Sequence, residues 1–310
     1  MASTHDILTD LALSRATLDR AGHERRDADL LTRLLGDAST RVAVVRGDRM
    51  PVTHVDGHTG LALRAPEADD AARLAVYLGR GPGGTAYVAV LDDVPELAPG
   101  VEPDGEWATL RQVGPVLDDT HAGIFTTGLA LANWHRHHGR CPRCGAPTLP
   151  EQGGWIRRCT EDASEHYPRT DPAVIMSVVD PDDRLLLARS PGWPERNYSV
   201  LAGFVEPGES LEAAVAREVE EEVGLHLTEV SYLGNQPWPF PSSLMVGFAA
   251  RTEETELRID AEEISDALWV TRGDYLDRLR SGQQRVPTGI SIAKRIIEHW
   301  LGEPVESALR

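Results

Sequence analysis

Residues 203–225 read GFVEPGESLEAAVAREVEEEVGL, and this stretch decides the fold of the second half of the chain. From Ser210 to Val223 its apolar residues recur at spacings of three and four, which predicts an amphipathic helix with one face in a core. Gly224 follows as a stop, because glycine readily adopts the left-handed conformation that ends many helices. The sequence therefore predicts a helix bounded by Gly224 at its C-terminal end.

The same helix carries a dense group of carboxylates. Side chains three and four residues apart are neighbours on a helix, so Glu218, Glu221 and Glu222 project together. A divalent cation would relieve their mutual repulsion, and Mg²⁺ and Mn²⁺ are hard ions that take carboxylate oxygens as ligands. Glu209 lies at the helix start, where the helix dipole favours negative charge, and Arg217 is placed to pair with a carboxylate. These residues indicate a metal site suited to phosphate chemistry.

The simpler explanation of a charge run is a solvated acidic helix face. The full spacing argues against it, because nine specified positions between Gly203 and Leu225 match a known signature over 23 residues. The stretch resembles the Nudix box. That resemblance implies a hydrolase that cleaves nucleoside diphosphates linked to another moiety.

Length, charge and cysteine usage bound the remaining possibilities. At 310 residues and 41% hydrophobic content, the chain can fill the cores of two domains. The net charge of −18 disfavours tight electrostatic binding of bare nucleic acid. The N-terminus lacks a leader pattern, and no window approaches the ~18 apolar residues that span a bilayer, so we expect a cytoplasmic protein with no membrane partner. Three cysteines do not make a disulfide scaffold.

Strand and helix patterns predict an α/β fold in three parts. Residues 1–125 read as a small N-terminal α/β domain that begins with a helical stretch from Asp6 to Arg20. Residues 126–170 contain a helix and a cysteine segment. Residues 171–310 alternate strands and helices, which fits a Nudix α/β/α sandwich.

The cysteine segment predicts most of a zinc ribbon. Cys141 and Cys144 are two residues apart and form a knuckle for one ion, and Cys159 adds a third thiolate. Structural zinc needs four ligands, and repeating the two-residue spacing after Cys159 reaches Asp162. His166 is the more familiar ligand type at a looser spacing, and so remains an alternative. A further alternative is three reduced thiols with no metal.

Downstream of the Nudix box stands a proline-stiffened segment from Gln236 to Ser243. Its prolines hold Trp238 and Phe240 in a fixed presentation, which suits stacking on a nicotinamide or adenine base, although a loop of this kind taken alone more often reflects local packing. The segment resembles the motif of the NADH pyrophosphatases within the Nudix hydrolases, with Asn235 where that motif generally begins with Ser. The resemblance also covers the cysteine ribbon, where Asp162 stands for the fourth zinc cysteine, and spans about residues 126–302.

The resemblance implies an activity and a set of site residues. The family cleaves the diphosphate of NAD(H) into nicotinamide mononucleotide and AMP. It places a divalent metal on the carbonyl of Ala202 and on Glu218, Glu222 and Glu263. Glu221 and Glu263 are both candidates for the base that accepts a proton from the attacking water. The implied substrate contacts are Tyr167, Gln236, Pro237, Trp238, Pro239, Phe240, Pro241, Ser242, Ser243 and Ala293.

Two other functions fit the same residues. One is a Nudix hydrolase of another specificity, acting on ADP-ribose, diadenosine polyphosphates or the NAD cap at an RNA 5′ end, although capped RNA presents the same diphosphate as NAD(H) and is therefore an additional substrate, not a rival. Capped RNA would need a basic path for the trailing strand. Candidates around the ribbon are Arg136, Arg140, Arg143, Arg157, Arg158 and Arg169. The other is a non-enzymatic regulator that senses NAD, which is disfavoured because every expected metal carboxylate is present. The resemblance also implies a homodimer.

Overall fold

The structure is a computed structural model, and it describes residues 7–9, 11–92 and 106–310. The chain divides into two compact units. One contains Leu13–Thr170 together with Pro237–Ser242, and the other contains Met1–Ala12, Asp171–Gln236 and Ser243–Arg310.

The unit that contains Leu13–Thr170 begins with two small sheets. Its strands are β1 (Arg41–Val45), β2 (Arg49–Val55), β3 (His58–Leu61), β4 (Leu74–Arg80), β5 (Ala86–Leu91) and β6 (Glu106–Thr109), and its helices are α1 (Leu30–Leu35), α2 (Leu110–Val113) and α3 (Asp119–His137). Strand β5 pairs in parallel with β1 and antiparallel with β4, while β2 pairs antiparallel with β3 and β6. Buried Val42, Tyr77 and Val88 lie in the core of the first sheet.

The predicted helix from Asp6 to Arg20 is wrong: the described residues of this stretch form no helix. Leu11 and Leu13 are both buried, an alternation that belongs to extended chain rather than to a helix. The backbone bonds also go elsewhere, since Asp19 and Arg80 exchange N–H···O bonds of 2.9 and 2.8 Å. Tertiary pairing thus overrides the helical propensity of the segment.

The cysteine segment forms a small antiparallel ribbon after α3. Its strands are β7 (Thr148–Glu151), β8 (Ile156–Cys159) and β9 (Glu165–His166). His135 of α3 braces it, because its Nε2 donates to Gly154 O at 2.8 Å while its Nδ1 accepts from Arg157 at 2.8 Å. Burial lowers the pKa of His135 to about 4, so the imidazole is neutral at physiological pH.

The other unit is built on a mixed sheet. Its elements are β10 (Asp171–Val179), β11 (Leu185–Arg189), β12 (Leu201–Phe204), α4 (Leu211–Val223), β13 (Leu227–Trp238), β14 (Ser243–Thr252), β15 (Asp266–Val270), α5 (Arg272–Arg280), α6 (Ile292–Leu301) and α7 (Val305–Ala308). The strand order is β13-β14-β10-β11-β15, and β12 also pairs with β10. Strands β10 and β14 are parallel, whereas β11 and β12 run antiparallel to β10.

Alternation along β10 gives this sheet two buried faces. Val174 and Met176 pack in one core with Val219 of α4. Ile175 packs in the other core with Ile296 of α6. Successive strand residues point to opposite faces of the sheet, so α4 covers one face and α6 covers the other. The predicted α/β/α sandwich is therefore confirmed. Among the described residues, no helix has the length and apolarity needed to cross a bilayer.

Candidate active site

Helix α4 has both ends fixed by local chemistry. Ser210 caps its N-terminus, where the side-chain oxygen accepts from Ala213 N at 3.2 Å. Gly224 ends it in the left-handed conformation at φ 70°, and a Cβ there would lie 2.8 Å from the Cβ of Arg258. Both the conformation and the crowding explain why this position is a glycine.

Three glutamates converge at one place beside this helix. Ligand oxygens of Glu218, Glu222 and Glu263 all lie within 4.8 Å of one another. Glu218 and Glu222 are each only 8% exposed, and Glu222 Oε2 has no hydrogen-bond partner within the part of the chain that the structure describes. Burial, reinforced by the neighbouring carboxylates, raises the pKa of Glu222 to about 8. Burial also raises the pKa of Glu218, although Arg217 opposes it.

These residues fit a hard divalent cation. A buried carboxylate oxygen without a partner is costly, and a cation would satisfy it. The donors are oxygens alone, as Mg²⁺ and Mn²⁺ prefer. The carboxylates that the sequence predicts as cation ligands, Glu218, Glu222 and Glu263, thus lie close enough together to share one ion.

Strand β12 brings the backbone close to this cluster. A Cβ built on Gly203 would lie 1.8–2.1 Å from the carboxyl atoms of Glu218, so only glycine leaves room for that side chain. The preceding residue, Ala202, pairs with Ile175 of β10. Ala202 and Glu222 both line a cleft of about 100 Å³. The predicted backbone ligand and the predicted carboxylate ligand therefore share one cavity.

Arg217 organises the carboxylates around the cluster. It contacts Glu209 at 2.9 Å, Glu218 at 2.9 Å and Glu221 at 2.8 Å, and it donates to Phe204 O at 2.9 Å. Glu221 is exposed and lies outside the group of three converging glutamates. The Arg217 guanidinium therefore pairs with both Glu218 and Glu221, whereas Glu222 Oε2 has no hydrogen-bond partner among the described residues.

The ribbon brings together a second, different ligand set. One ligand atom from each of Cys141, Cys144, Cys159 and Asp162 lies within 4.8 Å of the others. The Cys144 and Cys159 sulfurs are 3.4 Å apart, and Cys141 Sγ lies 3.8 Å from Asp162 Oδ2. Backbone N–H groups of Arg143 and Asp162 donate to the sulfurs of Cys141 and Cys159 at 3.4 and 3.5 Å. Such N–H···S bonds stabilise thiolates, the form that binds zinc.

Asp162, rather than His166, lies with the three sulfurs. Ser164 donates to Asp162 Oδ1 from its backbone at 2.9 Å and from its hydroxyl at 2.5 Å. These bonds hold the pKa of Asp162 well below its usual range, so the carboxylate is charged. His166 Nε2 lies 3.1 Å from the same Ser164 hydroxyl, outside the four-residue cluster.

The proline-rich segment forms a compact aromatic loop over residues 237–242. The rings of Trp238 and Phe240 meet edge to face with centroids 4.8 Å apart. The Arg111 guanidinium lies over both rings, 4.9 Å from the Trp238 centroid and 3.8 Å from that of Phe240. Gln236, just before the loop, is fully buried and donates to Ile290 O at 2.8 Å.

Three consecutive family models match the chain. They are an NADH pyrophosphatase-like rudimentary NUDIX domain over residues 39–134, an NADH pyrophosphatase zinc ribbon domain over residues 136–167, and a NUDIX domain over residues 169–287. A Mycobacterium bovis protein named NAD-capped RNA hydrolase NudC is 41% identical over 300 residues, covering 93% of this chain and 94% of that protein. The chain belongs to the NADH pyrophosphatase family of Nudix hydrolases.

Two further proteins are similar to smaller parts of this chain. The human NAD-capped RNA hydrolase NUDT12 is 42% identical over 197 residues, which cover 60% of this chain and 43% of that protein. The crystal structure of a NUDIX hydrolase from Nitrosomonas europaea is 20% identical and covers 53% of this chain and 94% of its own, with a TM-score of 0.42.

The other substrate contacts implied by the resemblance, Tyr167, Ala293 and Ser243, differ in their burial and in their neighbours. Tyr167 is exposed, and its hydroxyl donates to Glu165. Ala293 is 3% exposed and lies in the core that α6 shares with the sheet, so its side chain is a packing group here. Ser243 opens β14, where it pairs with Asp171.

The structure corrects part of the predicted basic path. Arg157 is buried, and its guanidinium donates to the Thr148 hydroxyl at 2.7 Å and to His135, so it braces the ribbon instead of facing solvent. Arg158 forms ion pairs with Glu151 and Glu165 at 2.9 and 2.6 Å. A count of arginines in the sequence could not reveal these internal partners.

Two residues beside the predicted sites had not been singled out by the sequence. Trp193 is 46% exposed and lines the same cleft as Glu222 and Ala202. Pro191-Gly192 and Pro194 flank Trp193, as prolines flank Trp238, so the sequence could have identified Trp193 as a candidate site residue. No comparable signal marks Arg111, whose contact with the aromatic loop joins residues more than 100 positions apart.

Proposed function

We propose that this chain hydrolyses the diphosphate of NAD(H) to nicotinamide mononucleotide and AMP, and that it also removes NAD caps from RNA 5′ ends. The observation that carries this proposal is the cluster of buried Glu218 and Glu222 with exposed Glu263, in which Glu222 Oε2 has no hydrogen-bond partner among the described residues. Relatives named as NAD-capped RNA hydrolases support the second substrate. Capped RNA presents the same diphosphate, so one site serves both.

The proposed chemistry divides between the metal and the side chains. Mg²⁺ or Mn²⁺ bound by Ala202 O, Glu218, Glu222 and Glu263 would neutralise the diphosphate and acidify a bound water. Arg217 orients the Glu218 carboxylate through its 2.9 Å ion pair, and it opposes the rise in the pKa of Glu218 that burial causes. Hydrolysis adds water across the P–O–P bond, and the proton that water releases goes to a carboxylate.

Glu221 and Glu263 remain the candidates for that proton acceptor. Both are exposed and can exchange the proton with solvent. Glu263 lies within the converging group, whereas Glu221 is held on Arg217 at 2.8 Å. The geometry therefore favours Glu263 for direct contact with the metal. It favours Glu221 as a base that lies beside the metal cluster.

The ribbon cluster is proposed to hold structural zinc through Cys141, Cys144, Cys159 and Asp162. Four protein ligands leave no open position for chemistry. Cysteines that bind zinc must stay reduced, which suits a reducing compartment and supports action in the cytoplasm. The division into residues 1–125, 126–170 and 171–310 is likewise proposed, supported by three consecutive family matches.

Substrate recognition is proposed to use the aromatic loop, with exposed Tyr167 and the backbone of Ala293 as further contacts, because the Ala293 side chain is buried. The fixed edge-to-face pair of Trp238 and Phe240 offers ring surface for a planar base. For capped RNA, exposed Arg140 and Arg143 beside the ribbon would face the trailing phosphates. A homodimer is proposed from the resemblance alone.

Product analysis tests this function. Purified protein would be incubated with NADH, ADP-ribose or NAD-capped RNA, with Mg²⁺ or Mn²⁺ and with neither ion, and the products identified by mass spectrometry. We expect nicotinamide mononucleotide and AMP from NADH, and 5′-monophosphate RNA from capped RNA, only when a divalent ion is present. Hydrolysis of ADP-ribose but not NADH would overturn the substrate assignment. Binding of NADH without any product would favour an NAD-sensing regulator.

A further inference from the structure

The aromatic loop has few backbone donors of its own. Pro237, Pro239 and Pro241 carry no backbone N–H, and the loop's internal backbone bond runs from Phe240 N to Trp238 O at 2.7 Å. Carbonyl groups in such a segment must be satisfied from outside or by water. The conformation that presents the two rings is therefore set by whatever supplies those donors.

Asn133, near the C-terminal end of α3, supplies two of them. Its Nδ2 donates to Pro239 O at 3.0 Å and to Pro241 O at 3.1 Å, so one amide group bridges both carbonyls. The carbonyls flank Phe240, and the bridge therefore fixes the backbone on each side of that ring. A carboxamide has two N–H bonds, and both are used here.

Arg136, one turn later on the same helix, orients this carboxamide. Its Nη1 donates to Asn133 Oδ1 at 2.9 Å, and its Nη2 donates to Gly47 O at 3.1 Å. Because a guanidinium only donates, it requires the oxygen of Asn133 to face it and the nitrogen to face the loop. The turn before β2 is thereby connected to the aromatic loop through two side chains.

We infer that Asn133 is a positioning residue for substrate binding: it holds the Trp238–Phe240 pair in place, and Arg136 fixes its orientation. This inference rests on the proposed function, since it assumes that the aromatic loop receives a base of the substrate. Asn133 lies on the helix that leads into the ribbon, in the same compact unit as the aromatic loop. Its contribution acts on binding and leaves the chemistry at the glutamates unchanged.

Kinetics of matched variants test the inference. Asn133→Asp keeps the size and the oxygen that faces Arg136 but loses both donated hydrogen bonds, and Asn133→Ala removes the group altogether. We expect both to raise KM for NADH about 10-fold, as loss of two modest hydrogen bonds implies, with kcat within about 3-fold of the original. His137→Ala, at an exposed position of the same helix, is the control and should leave both constants unchanged.

The outcomes separate this inference from the proposed function. If the unmodified protein does not hydrolyse NADH, the function fails. If it does, and Asn133→Asp has an unchanged KM or loses kcat instead, only the positioning role is overturned. Should the Asn133 variants fold poorly by circular dichroism, Arg136→Gln decides, because it leaves the carboxamide in place but unoriented. We expect it to raise KM about 3-fold, and an unchanged KM would count against the inference.

Discussion

This protein has two ligand clusters, one of glutamates at α4 and one of cysteines with Asp162 in the ribbon. A carboxylate has opposite surroundings in the two clusters. Glu222 is buried, its Oε2 has no partner among the described residues, and its pKa is raised to about 8 by burial. Asp162 is exposed, accepts two bonds from Ser164, and its pKa is lowered by them. One carboxylate lacks a compensating charge, and the other is already stabilised by the protein.

That difference matches the two proposed roles, a catalytic metal site at the glutamates and a structural zinc site in the ribbon. The glutamate cluster offers three side chains and a neighbouring cleft of about 100 Å³, so water and substrate can complete the coordination. The ribbon cluster offers four ligand atoms, which suffice for tetrahedral zinc. Substitutions in the two clusters should therefore affect different quantities: turnover in the first and metal retention in the second.

The largest expected effect comes from Glu222→Gln. The substitution keeps shape and burial but removes the charge that holds the cation, so we expect kcat for NADH to fall at least ~100-fold with the fold intact. Steady-state assays in Mg²⁺ and circular dichroism would measure both. Glu212→Gln is the matched control, because Glu212 is an exposed glutamate on the same helix. A near-normal rate for Glu222→Gln would refute the assignment of this cluster.

A smaller effect should appear in stability when no Mg²⁺ or Mn²⁺ is added. With a folded pKa near 8 and an unfolded value near 4.5, Glu222 binds more protons in the folded state between these limits. Stability is therefore lost as the pH rises through this window. We expect the original protein to lose on the order of 2 kcal/mol more than Glu222→Gln in free energy of unfolding between about pH 5 and 8.

Urea unfolding of both proteins across this pH range makes the measurement. Adding Mg²⁺ at the alkaline end should restore the stability of the original protein and leave the variant unchanged, because binding to the folded state alone stabilises it. If the free energy of unfolding changes with pH in the same way for both proteins, Glu222 does not carry an uncompensated charge. Glu222 and Asp162 would then not differ in the way described above.

Much of this contrast could be predicted from local spacing. Apolar spacings of three and four residues predicted α4, and helix geometry then predicted that its carboxylates lie together. The two-residue spacing of the cysteines predicted the ribbon ligands, including Asp162. The order of strands and helices along residues 171–310 predicted the sandwich. Each of these depends on residues close together in the chain.

Contacts between distant residues could not be predicted in this way. The close approach of Gly203 to Glu218 depends on how β12 packs against α4, and Arg111 reaches the aromatic loop from far away in sequence. The expected helix near the N-terminus was lost to pairing of Asp19 with Arg80. Propensity acts within a few residues, whereas these outcomes are set by tertiary partners.

The smallest expected effect concerns the fourth zinc ligand. Asp162→Ala removes one of four donors, so we expect zinc affinity to fall at least ~10-fold, measured by competition with a chelator, while kcat of the zinc-loaded protein changes little. Asp162→Cys supplies a thiolate at the same spacing and should hold zinc no more weakly. His166→Ala should stay within about 2-fold of the original affinity, because His166 reaches the site only through Ser164. If His166→Ala loses zinc and Asp162→Ala does not, the ligand is the histidine, and the ribbon carboxylate would then be a hydrogen-bonding group without a metal.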